Sequence, residues 1–478
     1  MKIEQIYTKC LAQGSYYIES NGEAVVIDPL RDVNEYINLA EKSNSKIKYV
    51  IETHFHADFI SGHLTLSNLT GADIIFGPNA DPQYNAIIAN DNQVFNFGNA
   101  SLTTIHTPGH TLESTSFLLK DEKGKEHAVF TGDTLFLGDV GIPDVAQRYK
   151  GVSKEELAAT LYDSVNNRIK PLPDDILVYP AHGAGSACGK NMMKETVDTL
   201  KNQKNINYSI NGTFSKEEFV KKLTENLPEP PSYFPHNVKL NQQGYEDLNK
   251  IIAKSKIPLS VSEFEELSKD NDIKVIDVRH QDDFAKGHIP NSIFIGLDGG
   301  FAPWVGAVLS DINQALLLVV DEARVEETIT RLSRVGFDNV KGYLKGGFSS
   351  WKKNNKKFEV IKTVSAIEIE DKYNNSSVNI FDVRKLSEYQ SEHIINSTNI
   401  PLNDIYNFVS DFNVEGENYI HCAGGYRSMI ANSILKSNGV HNLIDIRGGF
   451  SSIKKTNIFF LKGLIFFFIT VILDIKFN

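Results

Sequence analysis

Cysteine is scarce: the 478 residues include three, too few to build a disulfide framework in a chain of this length. The opening Met1-Lys2-Ile3-Glu4-Gln5 has no apolar signal core, and together with the shortage of cysteine this points to a reducing cytoplasm. Basic charge is also short, since 49 Lys and Arg stand against 60 Asp and Glu, a net charge of −11. There is no basic block and no interleaving of aromatic with basic residues. Nucleic acid and anionic membrane surfaces are excluded as main partners. Uninterrupted apolar runs are missing except at the C-terminus, where Ile458-Phe459-Phe460-Leu461 and Gly463 to Leu473 form one that Lys462 breaks. That run falls slightly short of the roughly 20 residues of a membrane span. Three readings stand for it: a terminal packing segment, a membrane anchor that makes the protein membrane-associated, or a non-native extension from a shifted reading frame.

What is present begins with Thr53-His54-Phe55-His56-Ala57-Asp58-Phe59. Two imidazoles and a carboxylate at alternate positions after an apolar strand can converge on one metal. His110, Asp133 and His182 complete the set, each following a short apolar run, in Pro108-Gly109-His110, Thr131-Gly132-Asp133 and Ala181-His182-Gly183. Ligands carried on loops at strand ends describe an open metal site.

In order and spacing these motifs resemble the metallo-β-lactamase superfamily over roughly the first half of the chain. Its two-metal hydrolases, such as the glyoxalase II thioesterases, carry HxHxDH, whereas this chain has Phe59 at the final position. A phenyl ring cannot ligate, and His63 comes too late to replace it. The remaining set looks like that of the persulfide dioxygenase branch, whose iron ligands map onto His54, His110 and Asp133, two histidines and a carboxylate that suit one ferrous ion per chain. The same resemblance makes His56, Asp58, His182 and Asp28 orienting residues around those ligands. Cys188, shortly after His182, is either a sulfur-handling thiol at the metal pocket or a buried loop residue. Cys10 reads as structural. Where the branch carries Gly-Arg-Pro-Asp, this chain has Gly141-Ile142-Pro143-Asp144, which removes a cation able to meet an acidic thiol carrier. Arg148 and Lys150 are the nearby candidates to compensate.

An internal repeat fills the second half. Ile276-Asp277-Val278-Arg279 with Gly287-His288-Ile289-Pro290 recurs as Phe381-Asp382-Val383-Arg384 with Glu392-His393-Ile394-Ile395, and each copy ends in Gly-Gly-Phe-Ser-Ser. This is similar to two tandem rhodanese domains. In the second, a strand through His421 delivers Cys422 into the loop Ala423-Gly424-Gly425-Tyr426-Arg427-Ser428, which opens a helix. Inward backbone N–H groups at a helix start make an anion cradle, suited to a persulfide with charge on its outer sulfur. Cys422 is the expected nucleophile, Arg427 the anion-binding cation, and Ala423, Gly424, Gly425, Tyr426 and Ser428 the substrate-binding loop. In the first copy the strand Leu316 to Val320 runs into Asp321-Glu322-Ala323-Arg324-Val325-Glu326, without the cysteine, the glycines or the arginine. That copy is read as a structural or docking module.

Length alone suggests about three domains. A proline-rich stretch from Leu227 to Pro235 reads as a stiff linker, and a Lys- and Asn-rich boundary lies at Lys352 to Lys362. The resemblances imply an α/β protein: a metallo-β-lactamase αββα sandwich over 1–240, an inactive rhodanese-like domain over 257–356, an active one over 362–457 and the tail 458–478. They imply a sulfide-detoxification enzyme that oxidises a small-molecule thiol persulfide with O2 and exchanges sulfur among Cys422, sulfite and thiosulfate in either direction. A homo-oligomer is the expected assembly. The rival readings are a zinc thioester hydrolase of the glyoxalase II type and a catalytically silent sulfane-sulfur carrier.

Overall fold

The computed structural model describes residues 1–144, 149, 151–227, 229–375, 378–412 and 416–462. The chain divides into two units, the first comprising Met1–Ala253, Val305–Ile312 and Thr330–Asp338, the second Lys254–Trp304, Asn313–Ile329 and the residues from Asn339 onward.

In the first unit β1 (Lys2–Thr8), β2 (Gln13–Ser20), β3 (Glu23–Ile27), β4 (Lys46–Ile51), β5 (Asp73–Phe76) and β6 (Ile87–Ile88) form one sheet in sequential order. A second sheet contains β7 (Val94–Phe97), β8 (Ala100–His106), β9 (Thr115–Lys120), β10 (Glu126–Gly132), β11 (Leu177–Pro180) and β12 (Asp198–Thr199). Strand alternation builds the layers, because successive side chains point to opposite faces. Tyr16, Ile18, Val25 and Ile27 pack with Phe117, Leu119, Ala128 and Phe130 between the sheets. Their strand neighbours Tyr17, Ala24 and Val26 instead meet Tyr36, Ala40 and Leu66 from helices on the outer face. Leu118, Val129 and Val178 of the second sheet likewise meet Leu161, Val165 and Phe219 on the other outside. This is the expected αββα sandwich.

The proline-rich stretch, read as a stiff linker, ends inside a helix. Phe234 and Pro235 open a helix, Phe234–Gln243, whose Phe234, Val238 and Asn241 are buried in the first unit. Proline at the first helical turn loses no intrahelical hydrogen bond.

In the second unit the repeat appears as two parallel sheets of identical strand order. The first holds β13 (Pro258–Leu259), β14 (Ile273–Asp277), β15 (Ile293–Phe294), β16 (Ala315–Val319) and β17 (Val340–Leu344), arranged β13-β17-β16-β14-β15. The second copy has β18 (Lys362–Val364), β19 (Asn379–Asp382), β20 (Glu392–Ile394), β21 (Thr398–Asn399), β22 (Asn418–His421), β23 (Leu443–Ile446) and β24 (Phe460–Lys462), with the order β18-β23-β22-β19-β21. The start of the apolar tail pairs back onto this copy, since β24 runs antiparallel to β20. The rest of the tail, 463–478, lies outside the described residues. Among the described residues no helix is long and apolar enough to cross a membrane.

Phe130 is fully buried, stacked on Tyr179 at 5.2 Å and edge-on to Tyr16 at 4.9 Å. Truncation to alanine is expected to cost about 3–5 kcal/mol, read as a lower denaturation midpoint of the full chain in urea.

Candidate metal centre and sulfur-transfer loop

Four loops leave the strand ends at one edge of the sandwich. His54 follows β4, His110 lies between β8 and β9, Asp133 follows β10 and His182 follows β11. The helix Lys154–Ser164, started by a Ser153–Glu156 capping box, presses on the His110 loop. Gly109 makes that approach possible, because a Cβ there would lie 2.4 Å from the Leu161 Cα.

His54, His110 and Asp133 are each 2% exposed or less, and one donor atom from each lies within 4.8 Å of the others. His54 Nε2 is 3.9 Å and His110 Nε2 3.5 Å from Asp133 Oδ2. The opposite ring nitrogens are occupied. His110 Nδ1–H donates to the Ile142 carbonyl at 2.6 Å. His54 Nδ1 meets Thr53 Oγ1 at 3.0 Å, and that hydroxyl donates to Asp28 Oδ2 at 2.9 Å, so the ring nitrogen is the donor. Both Nε2 lone pairs therefore face the pocket. Burial, reinforced at His54 by His56, pushes both imidazoles below their ordinary values and keeps them neutral. Burial works against charge on Asp133, but His182, His54 and His110 outweigh it and hold the carboxyl far below its usual range. Asp133 Oδ2 is buried with no hydrogen-bond partner. Two neutral imidazoles and an orphaned carboxylate oxygen at these separations fit a single divalent ion with open positions.

The other motif residues surround this set. His182 Nδ1 meets Asp133 Oδ1 at 2.8 Å, and its Nε2 meets Asp58 Oδ2 at 2.9 Å. Burial opposes charge on that ring, yet the two carboxylates outweigh it and hold His182 well above its ordinary value. Cys188 is buried, with its sulfur grouped with Asp58 and His182. Burial, then Asp58 and Asp133, push its thiol well up, so the resting group is protonated. His56 turns away toward Asp28, at 3.1 Å, and Phe59 covers its ring at 4.4 Å between centroids. Ile142 acts through its backbone: its carbonyl fixes His110, and its N–H donates to the Cys188 carbonyl at 2.8 Å. Arg148 and Lys150 lie outside the described residues.

In the second rhodanese copy Cys422 follows β22, and the helix Tyr426–Ser437 opens directly after the loop. Gly425, at φ 101°, directs its N–H to Cys422 Sγ at 3.1 Å. From the neighbouring loop Phe450 N–H donates to the Cys422 carbonyl at 2.7 Å. The approach needs Gly449, where a Cβ would stand 2.4 Å from that oxygen. Ala423 accepts the Ser451 N–H, Gly424 borders open space, and Ser428 Oγ–H donates back to the Gly425 carbonyl at 3.2 Å. Two side chains expected at the substrate have protein partners. Arg427 makes a two-pronged ion pair with Glu388 at 2.6 and 2.9 Å, and Tyr426 O–H donates to the Gly296 carbonyl of the first copy at 2.7 Å.

The two copies superpose in register. Asp277 pairs with Val319 as Asp382 pairs with His421, so Val320 stands where Cys422 stands. Between those anchors and the matching bonds to Asn339 and Asn442 the segment of the first copy is one residue shorter, and it carries Arg324. Arg324 is bound to Glu327 and Asp298, and Glu322 accepts the Gly346 N–H at 2.8 Å.

Residues 9–182 match the family model described as metallo-beta-lactamase superfamily, and 260–354 and 365–456 each match that of the rhodanese-like domain. The mitochondrial persulfide dioxygenase ETHE1 of Homo sapiens is 35% identical over 211 residues, 44% of this chain and 74% of that protein. The cytoplasmic hydroxyacylglutathione hydrolase of Arabidopsis thaliana is 32% identical over 187 residues, 38% of this chain and 67% of that protein. A crystal structure of a metallo-beta-lactamase from Staphylococcus aureus subsp. aureus COL shares 31% identity at a TM-score of 0.62, covering 72% of this chain and 98% of that one. The chain belongs to the metallo-beta-lactamase superfamily.

This superfamily member carries its metal domain ahead of two rhodanese-like domains. Its motif loop is held by residues that the sequence motifs do not include. Asn241 Nδ2 donates to the His56 and Phe59 carbonyls, each at 2.8 Å, while its Oδ1 accepts the Ser61 N–H at 2.9 Å. Ile60 N–H donates to the Arg334 carbonyl at 2.7 Å. The available signal was a polar residue on the buried stripe Phe234, Val238, Asn241, at helical spacing. Asn241→Ala leaves three backbone groups of the loop without their partner. It is expected to weaken metal retention roughly 10- to 100-fold, measured by metal content after dialysis against graded chelator.

Proposed function

We propose that this superfamily member is a bifunctional sulfur enzyme: a persulfide dioxygenase at His54, His110 and Asp133, joined to sulfur transfer at Cys422. The observation that carries it is the convergence of two neutral imidazoles and one orphaned carboxylate oxygen, with Phe59 covering His56 where a second hydrolytic ion would need a ligand. The identity of about a third with persulfide dioxygenase ETHE1 supports it. Ferrous iron would be held by those three residues and would supply a Lewis-acid position for persulfide sulfur beside one for O2.

The balance is one persulfide, one O2 and one water giving thiol, sulfite and two protons. The S–S bond of the persulfide breaks, its outer sulfur is oxidised and O2 is reduced. In the pocket His110, fixed by the Ile142 carbonyl, and His54, fixed through Thr53 and Asp28, keep their lone pairs directed inward. His182 holds Asp133 by its other oxygen. The carrier is a small thiol.

At the second site Cys422 carries a sulfane sulfur. Its outer sulfur is held by the N–H groups of the Ala423 to Gly425 turn, where Gly425 N–H already meets Sγ. Sulfite attacks that outer sulfur, the Cys–S–S⁻ bond breaks, and thiosulfate leaves with the electron pair returned to Cys422. The reverse transfer uses the same groups. Arg427 would serve an incoming anion once freed from Glu388. Having both activities in one chain raises the effective concentration of sulfite at its acceptor.

His110→Ala is expected to abolish O2 uptake with glutathione persulfide and to spare thiosulfate sulfurtransferase activity. Cys422→Ser is expected to do the converse, with sulfite accumulating instead of thiosulfate. Hydrolysis of a glutathione thioester by zinc-loaded protein, with no O2 uptake by iron-loaded protein, would establish the hydrolase instead. Sulfane-sulfur loading of Cys422 without any O2 uptake would leave a carrier.

A further inference from the structure

Beside the first donor set lies a second buried group, of which the proposed reactions use only Asp28, through Thr53. Asp28 follows β3, Glu52 follows β4 and His56 belongs to the motif loop; all three are 1% exposed or less. His56 Nε2 lies 3.1 Å from Asp28 Oδ1 and 3.6 Å from Glu52 Oε2, and the three donor atoms are within 4.8 Å of one another. Despite the short approach, neither ring nitrogen of His56 makes a hydrogen bond. Beside them His63 is also fully buried, with Nδ1 3.7 Å from Glu52 Oε1 and no hydrogen-bond partner for either nitrogen.

Such a grouping needs an explanation, because buried polar atoms are nearly always paired, and paired carboxylates in a closed interior require positive charge. The surrounding donors do not neutralise the acids but aim them. Thr53 N–H and Oγ–H donate to the two Asp28 oxygens at 2.8 and 2.9 Å, and Ser61 Oγ–H donates to Glu52 Oε1 at 2.6 Å. Glu52 Oε2 is thereby the oxygen turned to His56. Outer donors of this kind orient metal ligands.

We propose that Asp28, Glu52 and His56 bind a second divalent cation, distinct from the one at His54, His110 and Asp133. Bonds of about 2.1 Å at tetrahedral angles place neighbouring donors about 3.4 Å apart, close to the two His56 separations. Two carboxylates balance the charge of a divalent ion, and a set of two oxygens and one imidazole suits zinc or manganese. This is not the second ion of the two-metal hydrolases, which belongs on the Asp58 side where Phe59 stands. The enclosure gives this ion a structural role, fixing the loop from Glu52 to His56 that presents His54.

The test is a crystal of the full chain, purified from medium supplemented with iron, zinc and manganese, with anomalous difference maps across the three absorption edges and elemental analysis of the same sample. The expected result is a peak bounded by Asp28, Glu52 and His56 and two metal equivalents per chain, falling to one in Glu52→Gln with the peak at the first site retained. One equivalent confined to the first site, with water or no density between Asp28 and Glu52, would overturn the proposal. The wild-type maps decide the matter even where the variant fails to fold. The two peaks are read separately, so a wrong assignment of the first metal leaves this result intact.

Discussion

The buried run Asp58, His182, Asp133 is the interaction on which the metal pocket depends. One imidazole serves both carboxylates, and it separates the two oxygens of Asp133: Oδ1 is held by His182, while Oδ2 is left facing His54 and His110. The sheet fixes the spacing. In the parallel pair β10 and β11, Phe130 lies opposite Tyr179 and Gly132 opposite Pro180, and Ala181 N–H donates to the Gly132 carbonyl. The residues that follow the two strands are thereby delivered side by side. Register set by an apolar core thus determines where the Asp133 and His182 loops meet.

The candidate ligands were legible because their chemistry resides in the side chain: a histidine or aspartate after an apolar strand has few other reasons to recur in that order. The strands ahead of them were legible as short apolar runs, and β8, β10 and β11 stand there. What stayed hidden works through backbone or across long separations. The Ile142 carbonyl fixes His110 whatever side chain the position carries, so the absent arginine says nothing about that function. Asn241 reaches the His56 carbonyl across 185 positions, and the helical stripe that marks it as buried does not say which loop it holds.

The first rhodanese-like copy keeps the fold without the cysteine. Val320, at the register position of Cys422, is apolar and 1% exposed, as buried as Cys422 itself. Both copies keep the same strand order and the same pairing of an arginine with the aspartate that ends the strand, Arg279 with Asp277 and Arg384 with Asp382. Where the second copy has its glycine-bearing turn, the first has Glu322, whose carboxylate accepts the Gly346 N–H.

The first copy also braces the second beside Cys422. The Phe294 N–H of β15 donates to Ser433 Oγ on the helix that follows Cys422, and the Tyr426 ring lies against Gly299, where a Cβ would come within 2.2 Å. Tyr426 is the first residue of that helix, so its bond to the Gly296 carbonyl anchors the helix end from which the cradle's N–H groups project. An anion site built from backbone has no side chains to adjust. Its geometry is only as firm as the element that begins there, and here the first copy holds the start of that element.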